Sequence, residues 1–133
     1  MLVVDATCLY EVVADTPHAE AIRARLAADH DQAAPHLVDV EVVNVIRRHE
    51  MQSRLDATAA SQAVDDLRAW PGERFGHRGL LPRVWDLRQT IRGWDAFYVA
   101  LAEALDGTLL TLDARLARAT GPTCPIEVVA TPS

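Results

Sequence analysis

Apolar residues fall into two kinds of run along this chain. Short unbroken runs rich in branched residues read as buried strands: Leu2–Asp5 (LVVD), Gly107–Asp113 (GTLLTLD) and Ile126–Ala130 (IEVVA). The segment GERFGHR is a candidate for one more short strand. Between these runs, apolar residues recur at helical spacing. Thr7 is the expected N-cap of a first helix that continues through Val13. Thr16-Pro17 opens a second helix over about His18–Ala28. A third is expected from about Leu37 to Glu50, although its many valines favour strand by propensity. Asp56 caps a fourth, which Pro71-Gly72 ends. LPRVWDLRQTI predicts a helix entered at Pro82, WDAFYVALAEAL a helix from Asp95 to about Leu105, and ARLARAT a short one.

The strands are short, apolar on both faces and separated by helices. That pattern predicts a short parallel sheet covered by helices on both sides, a three-layer α/β/α sandwich. At 133 residues the chain is of single-domain length, expected as one unit over 1–133. No apolar run reaches the roughly 18 residues of a membrane span. The N-terminus meets Asp5 at once and lacks a basic stretch, which predicts a cytoplasmic protein with no membrane association. Cys8 and Cys124 are too few for a disulfide framework and read as buried free thiols.

Charge narrows the chemistry. The net charge is −6, opposite to the basic surplus of a general nucleic-acid binder. Any such role must rest on local arginines or on bound metal. Every Lys/Arg-type cation here is arginine, since the chain contains no lysine.

The acids fall in suggestive places. Asp5 closes one predicted strand and Asp113 another, so parallel strands would put both at the sheet edge where ligands bind. Asp95 begins a helix that can face the same edge. Glu41 lies on a helix face with Leu37, Val38, Asn44 and Val45, and Val42, Val43 and Ile46 are expected to be buried. Each acid alone reads equally well as a cap or turn residue, and Glu41 as a partner for Arg48. Gathered together they read differently. Two carboxylates about 5 Å apart repel by roughly 3 kcal/mol at an effective dielectric of about 20. Such a cluster must bind protons or a cation. Oxygen donors without converging His or Cys favour Mg²⁺ or Mn²⁺, and the implied chemistry is metal-assisted phosphodiester hydrolysis.

Four motifs carry a resemblance along nearly the whole length: VVDAT with Asp5, PHLVDVEVVNVIRR with Glu41 and Asn44, WDAFYVALAEAL with Asp95, and LLTLDARLARA with Asp113. In this order and spacing the chain resembles PIN-domain ribonucleases, most closely the VapC toxins of toxin–antitoxin pairs. The resemblance implies that Asp5, Glu41, Asp95 and Asp113 form a catalytic metal site, with Asp5 and Asp95 the foremost ligands. It implies cleavage of RNA, transfer or ribosomal, by a homodimer that a small cognate antitoxin neutralises in a heterotetramer or larger assembly. Thr7 stands where the family often has Ser, and Trp94 where Tyr is frequent; neither change removes an acid.

Supporting roles are expected for Thr7, Asn44 and Thr111, with Thr111 and Asp113 sharing a strand face. Arg92 and Arg115 are the nearest in sequence of the candidate phosphate contacts, which also include Arg47, Arg48, Arg88 and Arg118. Trp70, Trp85 and Tyr98 read as core or interface residues, with base stacking the lesser reading. The histidines show no ligand spacing. Two other readings compete. A receiver or aspartyl-phosphate phosphatase also places an Asp after a strand. The phosphatase pattern wants a second Asp where this chain has Thr7, however, and both families use a lysine that it lacks. A catalytically silent PIN-fold interaction module is the alternative closest to the main reading; four retained acids argue against it.

Overall fold

The computed structural model describes residues 1–130, so the last three positions of the unit expected over 1–133 lie outside the described residues. The elements are β1 (Leu2–Val4), α1 (Ala6–Val13), α2 (Ala19–Ala27), β2 (Gln32–Pro35), α3 (Leu37–Met51), α4 (Ala57–Ala69), β3 (Glu73–Phe75), α5 (Leu81–Asp86), α6 (Asp95–Ala104), β4 (Thr108–Thr111), α7 (Ala114–Arg118) and β5 (Ile126–Val128). A 3-10 turn at Arg78–Leu80 leads into α5.

The sheet order is β3-β2-β1-β4-β5, and every pairing is parallel. Leu2, Val3 and Val4 in the central strand are all buried, though successive side chains point to opposite faces. Both faces are therefore covered, as the α/β/α expectation requires. Helices α1 to α4 pack on one another, while α6 lies across β1, β2 and β4 with α5 beside it. The apolar body of α6 (Val99, Ala100, Leu101 and Ala102) is buried to 2 % exposure or less, which explains its near-continuous hydrophobicity.

Several boundaries differ from the sequence expectation. The second sheet strand, β2, was not expected at all: Gln-Ala-Ala-Pro has little strand propensity, and its conformation comes from pairing between β1 and β3. The N-cap of α1 is Asp5, whose carboxylate accepts from the Cys8 N–H, and not Thr7. The expected helix over LPRVWDLRQTI ends at Asp86. Beyond it, hydrogen-bonded turns bury Leu87 and Ile91, and Gly93 takes a positive φ of 29° that favours glycine. Strand β4 stops at Thr111, so Asp113 instead caps α7. Val43 faces outward, 42 % exposed, while Val42 and Ile46 are buried as expected. Cys8 is buried and free; Cys124 is free but only half-buried.

One polar junction fixes α5 against α6. Arg83 makes a bidentate pair with Glu103 at 2.6 and 3.1 Å and also donates to the Gly121 carbonyl. The Thr123 N–H donates to the same carboxylate. Burial raises the Glu103 pKa, but the Arg83 and Thr123 hydrogen bonds outweigh it and hold the carboxyl below its ordinary value. Glu103→Gln is expected to cost about 1–2 kcal/mol at neutral pH, measured by denaturant unfolding. A lowered folded-state pKa contributes stability above the unfolded value, lost as pH falls through the folded one. The wild-type advantage should therefore fade on acidification. An equal gap in acid and at neutrality would contradict an ionic role.

Candidate active site

The site forms because β1 and β4 are parallel neighbours in register, with Val4 opposite Leu110. Both chains leave the sheet at the same edge. Asp5 is the first residue past β1, and its N–H donates to the Leu110 carbonyl. Asp113 lies two residues past β4. From the flanking helices, α6 presents Asp95 from its first turn and α3 presents Glu41 from its second.

Three of these acids border one open cleft of about 670 Å³. Glu41, Asn44, Asp95 and Asp113 line it together with Arg48, Arg92 and Arg115. Asp5 does not line it: it is buried, only 7 % exposed, close enough for its charge to act on Glu41 and Asp95. Thr7 donates to the Asp5 Oδ1 at 2.7 Å and the Cys8 N–H at 2.9 Å. Burial pushes the Asp5 pKa up; hydrogen bonding from Thr111, Cys8 and Thr7 offsets part of that. The thiol of Cys8 is pushed up as well, first by burial and then by the Asp5 charge, which makes it inert as a nucleophile.

Glu41 and Asp95 are half-buried, and their pKa values are likewise raised. For Glu41 burial leads, opposed by a Tyr98 hydrogen bond and reinforced by the charges of Asp95 and Asp5. For Asp95 burial leads again, then Asp5 and Asp113; Arg92 and Arg115 pull the other way. Asp95 thus feels Asp5 and Asp113, and Glu41 feels Asp95 and Asp5. Asp113 alone is held low: burial raises it, but the Arg115 N–H at 2.9 Å and the Arg115 guanidinium at 3.4 Å outweigh that.

Asp95 is not the cap of its helix. Trp94 holds the N-cap position without a side-chain bond, and Asp95 is the first helical residue. Among the described residues, no donor hydrogen-bonds its carboxylate. The helix N-terminus offers it roughly 0.3–1 kcal/mol. Beyond that, only the charges of Arg92 and Arg115 offset its burial and the repulsion from Asp5 and Asp113.

Supporting residues divide. Thr7 binds Asp5 directly. The Thr111 hydroxyl accepts from the Asp113 N–H at 3.0 Å and helps lower the Asp5 pKa. The expected shared strand face with Asp113 does not exist, because β4 has already ended. Asn44, Arg48, Arg92 and Arg115 line the cleft; Arg88 lines an adjoining groove; Arg47 and Arg118 line neither. Glu41 does not bond Arg48. Instead Tyr98, 1 % exposed, donates to the Glu41 Oε1 at 2.7 Å. Sequence reasoning missed this role, yet the signal was present: Tyr98 is three residues after Asp95 and so on the same helix face. Of the aromatic residues expected in core or interface positions, Tyr98 is buried, Trp70 is half-buried, and Trp85 is 66 % exposed.

The donor set fits a hard divalent cation. Its donors are all carboxylate oxygens, three of them with raised pKa values that a cation would reverse. Among the described residues, no three His, Cys, Asp or Glu side chains are already closed around one ion-sized space. The residues that would hold such an ion are Asp5, Glu41, Asp95 and Asp113.

The sequence matches the PIN domain family over residues 2–122. It is 36 % identical over 129 residues to "VapC ribonuclease Mb0985" of Mycobacterium bovis, covering 97 % of this chain and 98 % of that protein. It is 40 % identical over 119 residues to "Ribonuclease VapC3" of Mycobacterium tuberculosis, covering 89 % of this chain and 86 % of the relative. Among solved structures, VapBC2 from Rickettsia felis, bound to a DNA fragment from its promoter, superposes with a TM-score of 0.72. That match has 16 % identity and covers 97 % of this chain and 98 % of that one. PAE2754 from Pyrobaculum aerophilum gives 0.68 at 22 % identity, covering 96 % and 83 %. These two likenesses concern the fold.

Proposed function

This chain belongs to the PIN-domain family, among the VapC ribonucleases, and on that premise we propose that it is a metal-dependent endoribonuclease, the toxin of a toxin–antitoxin pair. The observation that carries the reading is the cleft that Glu41, Asp95 and Asp113 line beside three arginines, with the buried Asp5 within reach of Glu41 and Asp95. The four carboxylates would hold Mg²⁺ or Mn²⁺. The bound ion would supply an activated water and offset charge on the departing oxygen of a phosphodiester.

The chain's own residues prepare that chemistry. Thr7 and the Cys8 N–H fix the rotamer of Asp5, and Tyr98 fixes Glu41. Thr111 holds the backbone of Asp113 at the cleft. Arg48, Arg92 and Arg115 offer fork-shaped donors to RNA phosphates. They supply locally the positive field that a net charge of −6 lacks globally. Relatives named VapC ribonucleases, and a fold neighbour solved as VapBC2, support a small antitoxin as partner, and a homodimer within a larger complex is the proposed assembly. Among the described residues, no helix is long and apolar enough to cross a membrane.

The test is cleavage of pooled transfer and ribosomal RNA by antitoxin-free protein. Discrete fragments should appear with Mg²⁺ or Mn²⁺ and vanish in EDTA. Cleavage indifferent to EDTA would overturn the metal mechanism. Co-expression with a neighbouring short reading frame should yield a complex that no longer cuts; activity unchanged by that product would remove the antitoxin from the proposal.

A further inference from the structure

Beside the acidic cleft lies a second groove, of about 430 Å³, of contrasting character. Its walls include Leu37, His77, Trp85, Arg88, Trp94 and Phe97, and no acidic side chain of the described residues lines it. The two depressions are continuous, sharing Ile91, Gly93 and Trp94. Trp94 is 52 % exposed and immediately precedes Asp95. A large aromatic residue left half in water next to a charged cleft points to a ligand with both an apolar face and a charged part.

The groove is already organised. His77 Nε2 accepts the Leu37 N–H at 3.0 Å, and the His77 ring packs against Phe97 with centroids 5.0 Å apart. Arg88 lies over the Trp85 ring at 4.4 Å and donates to the Trp85 carbonyl at 2.8 Å. Arg88 thus occupies one face of Trp85 and leaves a guanidinium at the groove's edge. No equivalent cation sits over Trp94 among the described residues.

We propose that this groove receives an unpaired nucleobase of the RNA strand whose scissile phosphate lies in the acidic cleft, with Trp94 as the stacking wall. The inference rests on the nuclease reading and adds to it a base-stacking subsite beside the cut. Charge complementarity and continuity favour this occupant. A base offers a π-face to Trp94, while the phosphate it is joined to meets the arginines of the adjoining cleft. A duplex keeps its bases stacked inside and cannot offer one. Trp94 is accordingly a specificity-determining residue.

The probe is a short labelled uridine oligoribonucleotide, followed by fluorescence anisotropy with Mg²⁺ present. The protein carries Asp5→Asn, which stops cleavage at a position away from Trp94. Companion probes are the same backbone bearing abasic residues and a matched duplex. Adding Trp94→Ala should weaken binding of the base-bearing strand roughly 5- to 100-fold. Trp94→Phe should recover most of it, the abasic strand should not respond to either change, and the duplex should bind poorly. Equal weakening of base-bearing and abasic strands would overturn the proposal, as would no weakening at all. So would a Trp94→Ala protein that loses self-association or antitoxin binding while keeping its hold on the oligonucleotide, which would make the groove a protein interface. The two readings fail separately. Wild-type protein that cuts no RNA yet binds bases through Trp94 loses the nuclease and keeps the groove; cutting that ignores Trp94 and tolerates duplex keeps the nuclease and loses the groove.

Discussion

Asp95→Asn is expected to lower metal-dependent RNA cleavage roughly 100-fold or more, because it removes a charged ligand while leaving the shape of the site intact. The same variant should fold at least as stably as wild type without metal. Asparagine gives up the modest attraction to the α6 N-terminus, roughly 0.3–1 kcal/mol. It also relieves a half-buried charge that faces Asp5 and Asp113 without a hydrogen-bond donor. Burial and repulsion outweigh the dipole here, as the raised pKa requires. Asp5 allows a sharper separation of roles, since it both caps α1 and acts by its charge on Glu41 and Asp95. Asp5→Asn should abolish cleavage but keep the cap, because an amide oxygen can accept the Cys8 N–H as well as a carboxylate can. Asp5→Ala should abolish cleavage and also lose about 1 kcal/mol of stability with the cap. Wild-type cutting by either Asn variant would remove that residue from the metal site. Cutting that persists in both, yet needs metal, would expose a contaminating nuclease.

Magnesium should raise the unfolding temperature at neutral pH and lose that effect in acid. Asp5, Glu41 and Asp95 all have folded-state pKa values above their ordinary ones, burial being the leading cause for each. An acid with a raised folded pKa makes the native state hold more protons than the unfolded chain. Stability without metal must therefore fall as pH rises from the ordinary carboxylate range through the raised values. Asp113, Asp29 and Glu103 act in the opposite sense, with lowered values, and their contribution disappears only on further acidification. A cation that prefers ionised carboxylates stabilises by mass action, about 2.7 kcal/mol at a hundredfold excess over its dissociation constant. Differential scanning calorimetry at about pH 5 and about pH 8, in Mg²⁺ and in EDTA, separates these terms. The magnesium increment should be large at the higher pH, small at the lower, and much reduced in Asp95→Asn. An increment of the same size at both pH values, or one that survives Asp95→Asn, would place the ion elsewhere.

Wild-type RNA cleavage in Mg²⁺ would make the arginines of the cleft more informative than the overall acidity of the chain. Arg48, Arg92 and Arg115 are separated by long stretches of sequence yet border the same carboxylates. Arg47 and Arg118, their near neighbours in sequence, face away from both depressions. No composition argument distinguishes Arg47 from Arg48. On α3 a single step along the chain turns the side chain by about 100°, and only the packing of that helix decides which one meets the cleft.

What the amino-acid sequence determined by itself was the class of fold, and it singled out four acids as candidates for the site. LVVD and TLLT are too apolar on both faces to be anything but interior strands, and helical spacing between them leaves a covered parallel sheet as the solution. Asp5 and Asp113 follow those strands, so their place at one edge is a consequence of parallel pairing. Local chemistry also sufficed for Asp56, a cap recognisable in sequence and present in the structure. Tertiary structure decided the rest, wherever the controlling interaction comes from a distant segment. Gln32–Pro35 is a strand only because β1 and β3 supply its hydrogen bonds. Glu41 is held by Tyr98 across 57 residues of sequence, in place of the neighbouring Arg48. The helix after Pro82 stops at Asp86 because burying Leu87 and Ile91 and turning at Gly93 satisfy the core better than continued helix does. That turn sets Trp94 half in water beside the cleft and aims Asp95 at Asp5. Propensity and periodicity report what a segment prefers alone; the site depends on which segments meet, and that is settled by packing.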